Sequence, residues 1–248
     1  MAKYIADFHT HTTLSPCGDI EMTSMFIINR ARELGVDIVG ITDHNSTRQA
    51  REIKRALNGD LPYILCGAEI TSREEVHCLA FVDGEERLQL LQNYIDDNLP
   101  NIENNVDIFG YQLVVNLDEE VLYEEPKMLI SSINQSVEQI EKFVHSIDGI
   151  FIPAHIDKTQ NSIISQLGFV PFDLNCDALE VSHRCKLNEF LDRNSYLKKS
   201  GFNFIMSSDA HYPEEFCRAT TSLELKNLDF IEIKKALNGV DGCCINIG

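Results

Sequence analysis

Short apolar runs in this chain repeatedly meet a histidine or a carboxylate at one end, and this pattern is the strongest constraint on its fold. The first run, residues 4–8, leads into His9 and His11. Side chains of a strand alternate with a period of two residues, so these two imidazoles point to the same side. Five further runs meet such residues, which are the Asp43-His44 pair, Glu69, His77, His155 and the Asp209-Ala210-His211 group. All of them except His77 follow their runs, whereas His77 opens its own.

Strand-like and helix-like segments alternate through the first 100 residues, which is typical of α/β folds with parallel strands. Strands are predicted over residues 4–9, 37–42, 62–69, 76–82, 150–154, 178–182, 203–207 and 221–225. Helices are predicted over residues 24–34, 46–57, 85–98, 136–147, 188–199 and 229–237. Seven or eight strands in 248 residues favour a closed or nearly closed barrel, a fold that builds its active site at the C-terminal ends of its strands. We predict one domain over residues 1–248, with an insertion or long connection around residues 84–149.

The net charge of −18 argues against binding to long nucleic acids, because the chain lacks a broad basic surface that would release counterions. A small phosphorylated substrate is compatible with this charge, since bound divalent cations invert the potential of an acidic pocket. The eight cysteines form no Cys-x-x-Cys pair and are expected to be reduced thiols. The N-terminus has neither the length nor the cleavage site of a signal peptide, and no apolar run reaches the roughly 18 residues of a membrane span. We therefore expect a cytoplasmic protein without a membrane segment.

Taken in order, the motifs resemble those of the PHP (polymerase and histidinol phosphatase) superfamily. The resemblance covers residues 4 to about 215, whereas the stretch from about 84 to 149 carries no motif of the family. Its specificity comes from order, spacing and residue type together. The matching motifs are Asp7-Phe8-His9-Thr10-His11, Ile41-Thr42-Asp43-His44, Gly67-Ala68-Glu69, His77, Ala154-His155 and Ser208-Asp209-Ala210-His211.

The resemblance implies a distorted (β/α)7 TIM-like barrel that holds two or three divalent metal ions, with zinc, manganese and iron as the metals that suit imidazole and carboxylate ligands. It implies that the first metal is bound by His9, His11, Glu69 and Asp209. Glu69 would bridge to a second metal bound by His77 and His155. His44 and His211 would bind a third metal with one ligand from the loop after His11. Asp19 and Cys17 are the alternatives for that ligand, and Asp19 is favoured because a hard carboxylate suits a hydrolytic site better than a thiolate.

Five further residues are candidates for roles in catalysis or substrate binding. Asp43 is interpreted as a carboxylate that orients metal ligands or a bound water. His183 follows a predicted strand outside the metal motifs and is a candidate general acid. Arg184, Lys158 and Arg218 are candidate contacts for a substrate phosphate.

The predicted function is metal-dependent hydrolysis of a small phosphate monoester or a nucleotide through a metal-bound hydroxide. A histidinol phosphatase-like enzyme and a nuclease for short oligonucleotides are alternatives that use the same chemistry. A non-catalytic, regulatory metal-binding module is the alternative from a different class.

Overall fold

A computed structural model describes residues 1–57 and 59–247 of the chain. The strands are β1 (Ala2–Thr10), β2 (Ile38–Ile41), β3 (Tyr63–Thr71), β4 (His77–Phe81), β5 (Leu113–Val115), β6 (Val121–Glu124), β7 (Ile150–Pro153), β8 (Leu179–Val181), β9 (Phe204–Met206), β10 (Thr221–Leu225) and β11 (Cys244–Ile247). The helices are α1 (Ser24–Leu34), α2 (Arg48–Leu57), α3 (Glu85–Asn98), α4 (Val106–Phe109), α5 (Val137–Ser146), α6 (Ile163–Leu167), α7 (Leu187–Arg193) and α8 (Phe230–Asn238). Among the residues described, none of the helices has both the length and the apolar character needed to cross a membrane.

A curled seven-stranded sheet forms the centre of the fold, in the order β11-β10-β1-β2-β3-β4-β7. β1, β2 and β3 run parallel, and β8 and β9 form a separate parallel pair. Ile156 N donates to the Glu180 carbonyl at 2.8 Å, which joins the end of β7 to β8. His11 N donates to the Ala210 carbonyl at 2.9 Å, which joins the segment after β9 to the end of β1. The architecture therefore agrees with the predicted α/β fold of the TIM-like barrel type.

β4 departs from the expected parallel strands, because it is antiparallel to both β3 and β7. Only residues 72–76 connect β3 to β4. A parallel crossover needs about a dozen residues or more, so this short connection forces a hairpin. The reversal explains why His77 opens its apolar run, because the start of β4 lies at the same edge of the sheet as the C-terminal end of β3.

Local chemistry sets the helix boundaries. The Thr23 side chain accepts from Phe26 N and Gly35 closes α1 with φ of 67°, so that α1 spans the predicted residues 24–34. The predicted helix over 188–199 is too long, since α7 ends at Arg193. The Asn194 side chain donates to the Phe190 carbonyl at 3.0 Å, and such local bonds of asparagine compete with helix continuation.

Apolar side chains fill the inside of the curled sheet. Phe8 and Phe81 meet edge to face with centroids 6.5 Å apart, and Leu65, Ile152 and Ile205 are fully or almost fully buried in the same cluster. Burying each such side chain contributes roughly 1.5–3 kcal/mol relative to exposure. This packed interior supports the strand ends, where the polar residues lie.

The segment of residues 84–149 contains α3, α4, the β5–β6 hairpin and α5. Buried amide side chains anchor its middle part. Asn45 Nδ2 donates to the carbonyls of Leu129 and Ser131 at 2.7 and 2.8 Å. Gln49 both accepts from Val115 N at 2.8 Å and donates to the Val115 carbonyl at 2.9 Å. These side-chain amides pair with backbone groups that a neighbouring strand would otherwise pair with. Hydrophobic periodicity does not reveal such pairing.

Candidate metal centre

The carboxylate of Glu69, which is 1 % exposed, is the centre of a cluster of imidazoles at the open edge of the sheet. β3 carries it, and backbone bonds from Glu69 N to the Asp43 carbonyl and from Asn45 N to the Glu69 carbonyl fix it against the end of β2. Its Oε1 lies 2.8 Å from His77 Nδ1, 3.1 Å from His155 Nε2 and 3.3 Å from His9 Nε2, and its Oε2 lies 3.1 Å from His44 Nδ1 and 3.4 Å from His11 Nε2.

Asp209 closes the cluster from the segment after β9. Its Oδ1 lies 3.4 Å from His9 Nε2 and 3.5 Å from His11 Nε2, and these two nitrogens are 3.2 Å apart. Asp209 adopts a left-handed backbone with φ of 51°, which L-residues other than glycine, asparagine and aspartate rarely do. Buried Asp7 holds this segment from below, because its Oδ1 accepts from Ser208 N at 3.0 Å. The left-handed backbone of Asp209 is thus fixed where its carboxylate faces the histidines.

Three groups of side chains have spacings that could hold a metal ion, since their potential ligand atoms all lie within 4.8 Å of one another. They are His9 with His11 and Asp209, His44 with Glu69 and His77, and His11 with His44 and His211. The His11 and His211 rings stack with centroids 3.9 Å apart. These groups contain seven of the nine residues that the sequence predicts as ligands, and an eighth, His155, contacts Glu69 at 3.1 Å.

Two neighbouring groups set the tautomers of His9 and His11. The buried Glu180 carboxylate lies 2.9 Å from His9 Nδ1, which places the ring proton on Nδ1. Ser15 Oγ donates to Asp43 at 2.7 Å and therefore accepts from His11 Nδ1 at 2.8 Å. Both Nε2 lone pairs are then directed at each other and at two carboxylates. A metal ion between these atoms, or a proton on one of the rings, satisfies this arrangement, and hydrogen bonds of this kind orient metal-bound imidazoles.

The charges of the cluster also favour a cation. Burial opposes ionisation of Glu69, yet the surrounding histidines, with His77 and His9 foremost, hold the pKa of its carboxyl well below the usual value. Burial also works against protonation of His9, but the carboxylates of Glu180, Asp209 and Glu69 raise its pKa well above the usual value. Burial lowers the pKa of His44 to about 4 and that of His211 to about 2, so both rings are neutral and their lone pairs are available.

The donor set fits a divalent metal ion. His44 Nδ1 is buried and has no hydrogen-bond partner in the described part of the chain, although it lies 3.1 Å from Glu69 Oε2. An unpaired buried nitrogen beside an ionised carboxylate is the arrangement that a shared cation satisfies. Imidazole and carboxylate donors together suit zinc, manganese and iron.

The loop after β1 reaches the centre, but the Asp19 carboxylate turns back onto its own loop. Asp19 Oδ1 accepts from Glu21 N at 2.8 Å, and Asp19 belongs to none of the three groups. In the same loop, the Cys17 side chain lies close enough to the centre for the charges of Glu69 and Asp209 to affect its pKa. Burial, followed by the negative charges of Glu69 and Asp209, raises the pKa of its thiol. The assignment of Asp19 as a metal ligand stays a prediction.

Asp43 lies beneath the same loop. Its oxygens accept from Thr12 N and Thr12 Oγ1, both at 2.8 Å, and from Ser15 Oγ at 2.7 Å. Asp43 thus reaches His11 through the Ser15 hydroxyl. This contact fits the predicted orienting role better than a role in direct proton transfer.

The four other candidate residues lie near one another, since His183 senses the charges of Arg218, Arg184 and Lys158. The Lys158 ammonium forms an ion pair with Asp209. Arg184 Nε donates to His183 Nε2 at 3.2 Å, and Arg218 pairs with Glu215 at 2.8 Å. Burial, followed by the charges of Arg218 and Arg184, lowers the pKa of His183. Lys158, Arg184 and Arg218, the predicted phosphate contacts, thus form a cationic rim near His183.

Sequence reasoning overlooked Glu180 and Ser15. Glu180 did carry a signal, because it is a charged residue inside the apolar strand β8. Charged side chains are almost never fully buried unless they are paired, so a glutamate in such a strand predicts a buried partner. Ser15 carried no comparable signal, since serine is common in loops.

A sequence model of the PHP domain matches residues 7–162, and the chain belongs to the PHP domain family. The uncharacterized protein YqxK of Bacillus subtilis is 23 % identical over an alignment that spans 97 % of this chain and 63 % of YqxK. The lesion-specific endonuclease PfuEndoQ from Pyrococcus furiosus is similar in fold, with a TM-score of 0.73 and 20 % identity, over 98 % of this chain and 58 % of PfuEndoQ. A protein from Bifidobacterium adolescentis described as a metal-dependent phosphoesterase has a TM-score of 0.57 and 21 % identity over 83 % of this chain and 87 % of its own.

Family membership confirms the resemblance seen in the sequence and supports the predicted hydrolase class. The chain spans less than two thirds of the length of YqxK and of PfuEndoQ.

Proposed function

We propose that this chain hydrolyses phosphate esters at the cluster around Glu69 and Asp209. The observation that carries the proposal is the convergence of six imidazoles on two buried carboxylates, with tautomers that direct several lone pairs inward. Two or three divalent ions, zinc, manganese or iron, are the proposed cofactors.

The proposed ligands are His9, His11, His44, Glu69, His77, His155, Asp209 and His211, with Asp19 or Cys17 from the loop after β1. Divalent ions at such a centre supply a hydroxide near neutral pH and neutralise charge on the phosphoryl oxygens. The protein fixes the donor atoms before the ions bind, because Glu180, Ser15 and Asp43 already hold the rings in place.

The cationic rim supports binding of the substrate phosphate beside the centre. Lys158, Arg184 and Arg218 offer ammonium and guanidinium groups, and guanidinium binds phosphate in a bidentate manner. His183 is the favoured source of the proton for the leaving group, because Asp43 is already saturated by Thr12 and Ser15. The first candidate substrate is a small phosphate monoester or a nucleotide, with which the overall charge of −18 is compatible.

A phosphodiester of DNA is the second candidate substrate. The observation in its favour is the fold similarity to endonuclease Q, which extends over 98 % of this chain and includes a complex of that protein with a 27-mer duplex that has an abasic lesion at the active site. The cationic rim is local, so the net negative charge of the whole chain does not exclude a short contact with a DNA backbone.

We also infer that β1, β2, β3, β4, β7, β8 and β9 make up the seven strands of a distorted barrel. Residues 1–248 would then form one domain, with the segment of residues 84–149 as a long connection beside the mouth.

A substrate panel with a metal series tests the proposal. An aryl phosphate, a bis-aryl phosphodiester, mononucleotides, short single strands and a duplex with an abasic site are each assayed with Mn²⁺, Zn²⁺ and Fe²⁺. We expect hydrolysis that chelation abolishes and that metal restores. Preference for the duplex over mononucleotides would favour the second substrate class. Full metal occupancy without hydrolysis of any substrate would favour a non-catalytic metal-binding module and contradict the proposal.

A further inference from the structure

The loop of residues 155–162 contacts three different members of the candidate metal centre. His155 at its start faces Glu69, and Lys158 in its middle pairs with Asp209. Asn161 near its end contacts His77 with its backbone and its side chain. The first two contacts involve charged groups, whereas Asn161 is neutral and its contribution must come from hydrogen bonding.

Asn161 is held firmly against the start of β4. Its carbonyl accepts from His77 N at 2.9 Å, and its Nδ2 lies 3.0 Å from His77 Nε2. Its backbone is left-handed, with φ of 55°, a region that asparagine and aspartate tolerate better than most residues. The half-buried amide is thereby fixed next to one ring nitrogen of His77, while the other nitrogen, Nδ1, lies 2.8 Å from Glu69 Oε1.

A neutral imidazole carries one proton, so the partner of one nitrogen decides the chemistry of the other. With Nδ2 of Asn161 facing it, Nε2 accepts a hydrogen bond, and Nδ1 carries the proton and donates to Glu69. In this tautomer Nδ1 has no lone pair for a cation. Rotation of the amide by half a turn presents Oδ1 instead, so that Nε2 donates and the Nδ1 lone pair faces Glu69.

We propose that Asn161 is a positioning residue that sets the tautomer of His77 and so switches His77 between a hydrogen-bond donor to Glu69 and a metal ligand that shares a cation with Glu69. The proposal rests on the proposed metal centre. An amide suits this role because it offers a donor and an acceptor on the same planar group. Without a cation, the donor form supplies a proton partner for the buried Glu69 carboxylate. With a cation, the rotated form leaves Nδ1 free and keeps Nε2 paired.

Three variants separate this role from a merely structural one. Asn161→Asp keeps a residue suited to the left-handed backbone and can only accept, so it fixes the metal-binding tautomer. Asn161→Gly tolerates the left-handed backbone conformation and removes the side-chain amide. Gln160→Asp is the matched control, because it adds the same charge to the same loop at an exposed position.

The first measurement is the tautomer of His77 by ¹⁵N NMR of histidine-labelled protein, with the signals assigned by their loss in His77→Gln. We expect the Nδ1–H form in the metal-free native chain, the Nε2–H form after addition of Zn²⁺, and the Nε2–H form in metal-free Asn161→Asp. Identical His77 tautomers in the metal-free native chain and Asn161→Asp would overturn the proposal.

The second measurement is Zn²⁺ affinity by calorimetry. Loss of a group that orients a metal ligand lowers affinity by about 10- to 100-fold, and we expect a loss in this range for Asn161→Gly. Asn161→Asp should bind Zn²⁺ more tightly than Gln160→Asp. Equal affinities of the native chain and Asn161→Gly would contradict the proposal, and so would equal affinities of the two aspartate variants. The tautomers are read in metal-free protein without any substrate, so the role of Asn161 can be decided even if the chain fails to hydrolyse phosphate esters.

Discussion

Replacement of Glu180 by glutamine should weaken metal binding without unfolding the protein. Glu180 is 1 % exposed, and its Oε2 both lies 2.9 Å from His9 Nδ1 and accepts from His155 N at 2.9 Å. One carboxylate therefore orients two candidate metal ligands from strand β8. A glutamine can keep one oxygen at the Oε2 position, but its NH2 group then replaces Oε1, which lies 3.2 Å from His9 Nδ1. A donor would therefore face the donating Nδ1, and the negative charge beside His9 would be lost.

The expected magnitude follows from these contacts. Residues that orient metal ligands contribute about 10- to 100-fold in affinity, which corresponds to about 1.4–2.7 kcal/mol. A buried donor left without a partner costs about 1–3 kcal/mol of folding free energy, so the variant should still fold. Calorimetric titration with Zn²⁺ measures the affinity, and urea unfolding measures the stability. Glu224→Gln, which changes an exposed glutamate on β10, is the control. If Glu180→Gln bound Zn²⁺ as tightly as this control, the inferred role of Glu180 would be refuted.

Three further predictions follow from the same contacts. Lys158→Met removes the ammonium beside Asp209, so Zn²⁺ should bind several-fold more tightly while KM for a phosphate ester rises about 10-fold; an unchanged KM would exclude Lys158 as a phosphate contact. His145→Gln tests pH dependence: hydrogen bonding to Asp177, against opposing burial, raises the pKa of His145, so its stabilisation is fully present below the unfolded pKa and declines as pH rises through the folded pKa. The urea-unfolding difference from the native chain should thus be larger at pH 5.5 than at pH 8.5, and a difference that grows with pH would contradict this sign. Gly67→Ala would place a Cβ 2.3 Å from a carbonyl oxygen of β4, so we expect a loss of about 1–3 kcal/mol in urea unfolding, and an unchanged midpoint would show that β3 and β4 can separate freely.

The fold was predictable where apolar periodicity and caps agree. α1 begins after Thr23 and ends at Gly35, and α3 spans Glu85–Asn98, both as the sequence predicts. The β5–β6 hairpin was not predictable, because its three- and four-residue strands are held by amides distant in sequence, such as Gln49. β4 was predicted as a strand, but its direction depends on the short connection of residues 72–76 rather than on its own residues.

The candidate site was predictable in composition and only partly in geometry. Order and spacing identified the imidazoles and carboxylates that surround Glu69 and Asp209. The pairing of His44 with His77 across Glu69 was not predicted, because it depends on how far β2 and β3 extend. The direction of the Asp19 carboxylate was also beyond sequence reasoning, since a local bond to Glu21 N decides it.

The most direct test of the central claim is metal content and phosphoesterase activity in the native chain and in the double variant His9→Ala with Glu69→Ala. Inductively coupled plasma mass spectrometry after loading with Mn²⁺ or Zn²⁺ gives the number of ions per chain, and the substrate panel gives the activity. We predict two or three ions and metal-dependent hydrolysis in the native chain, and loss of at least one ion and of activity in the variant. Full metal content and unchanged activity in the double variant would contradict the proposed centre.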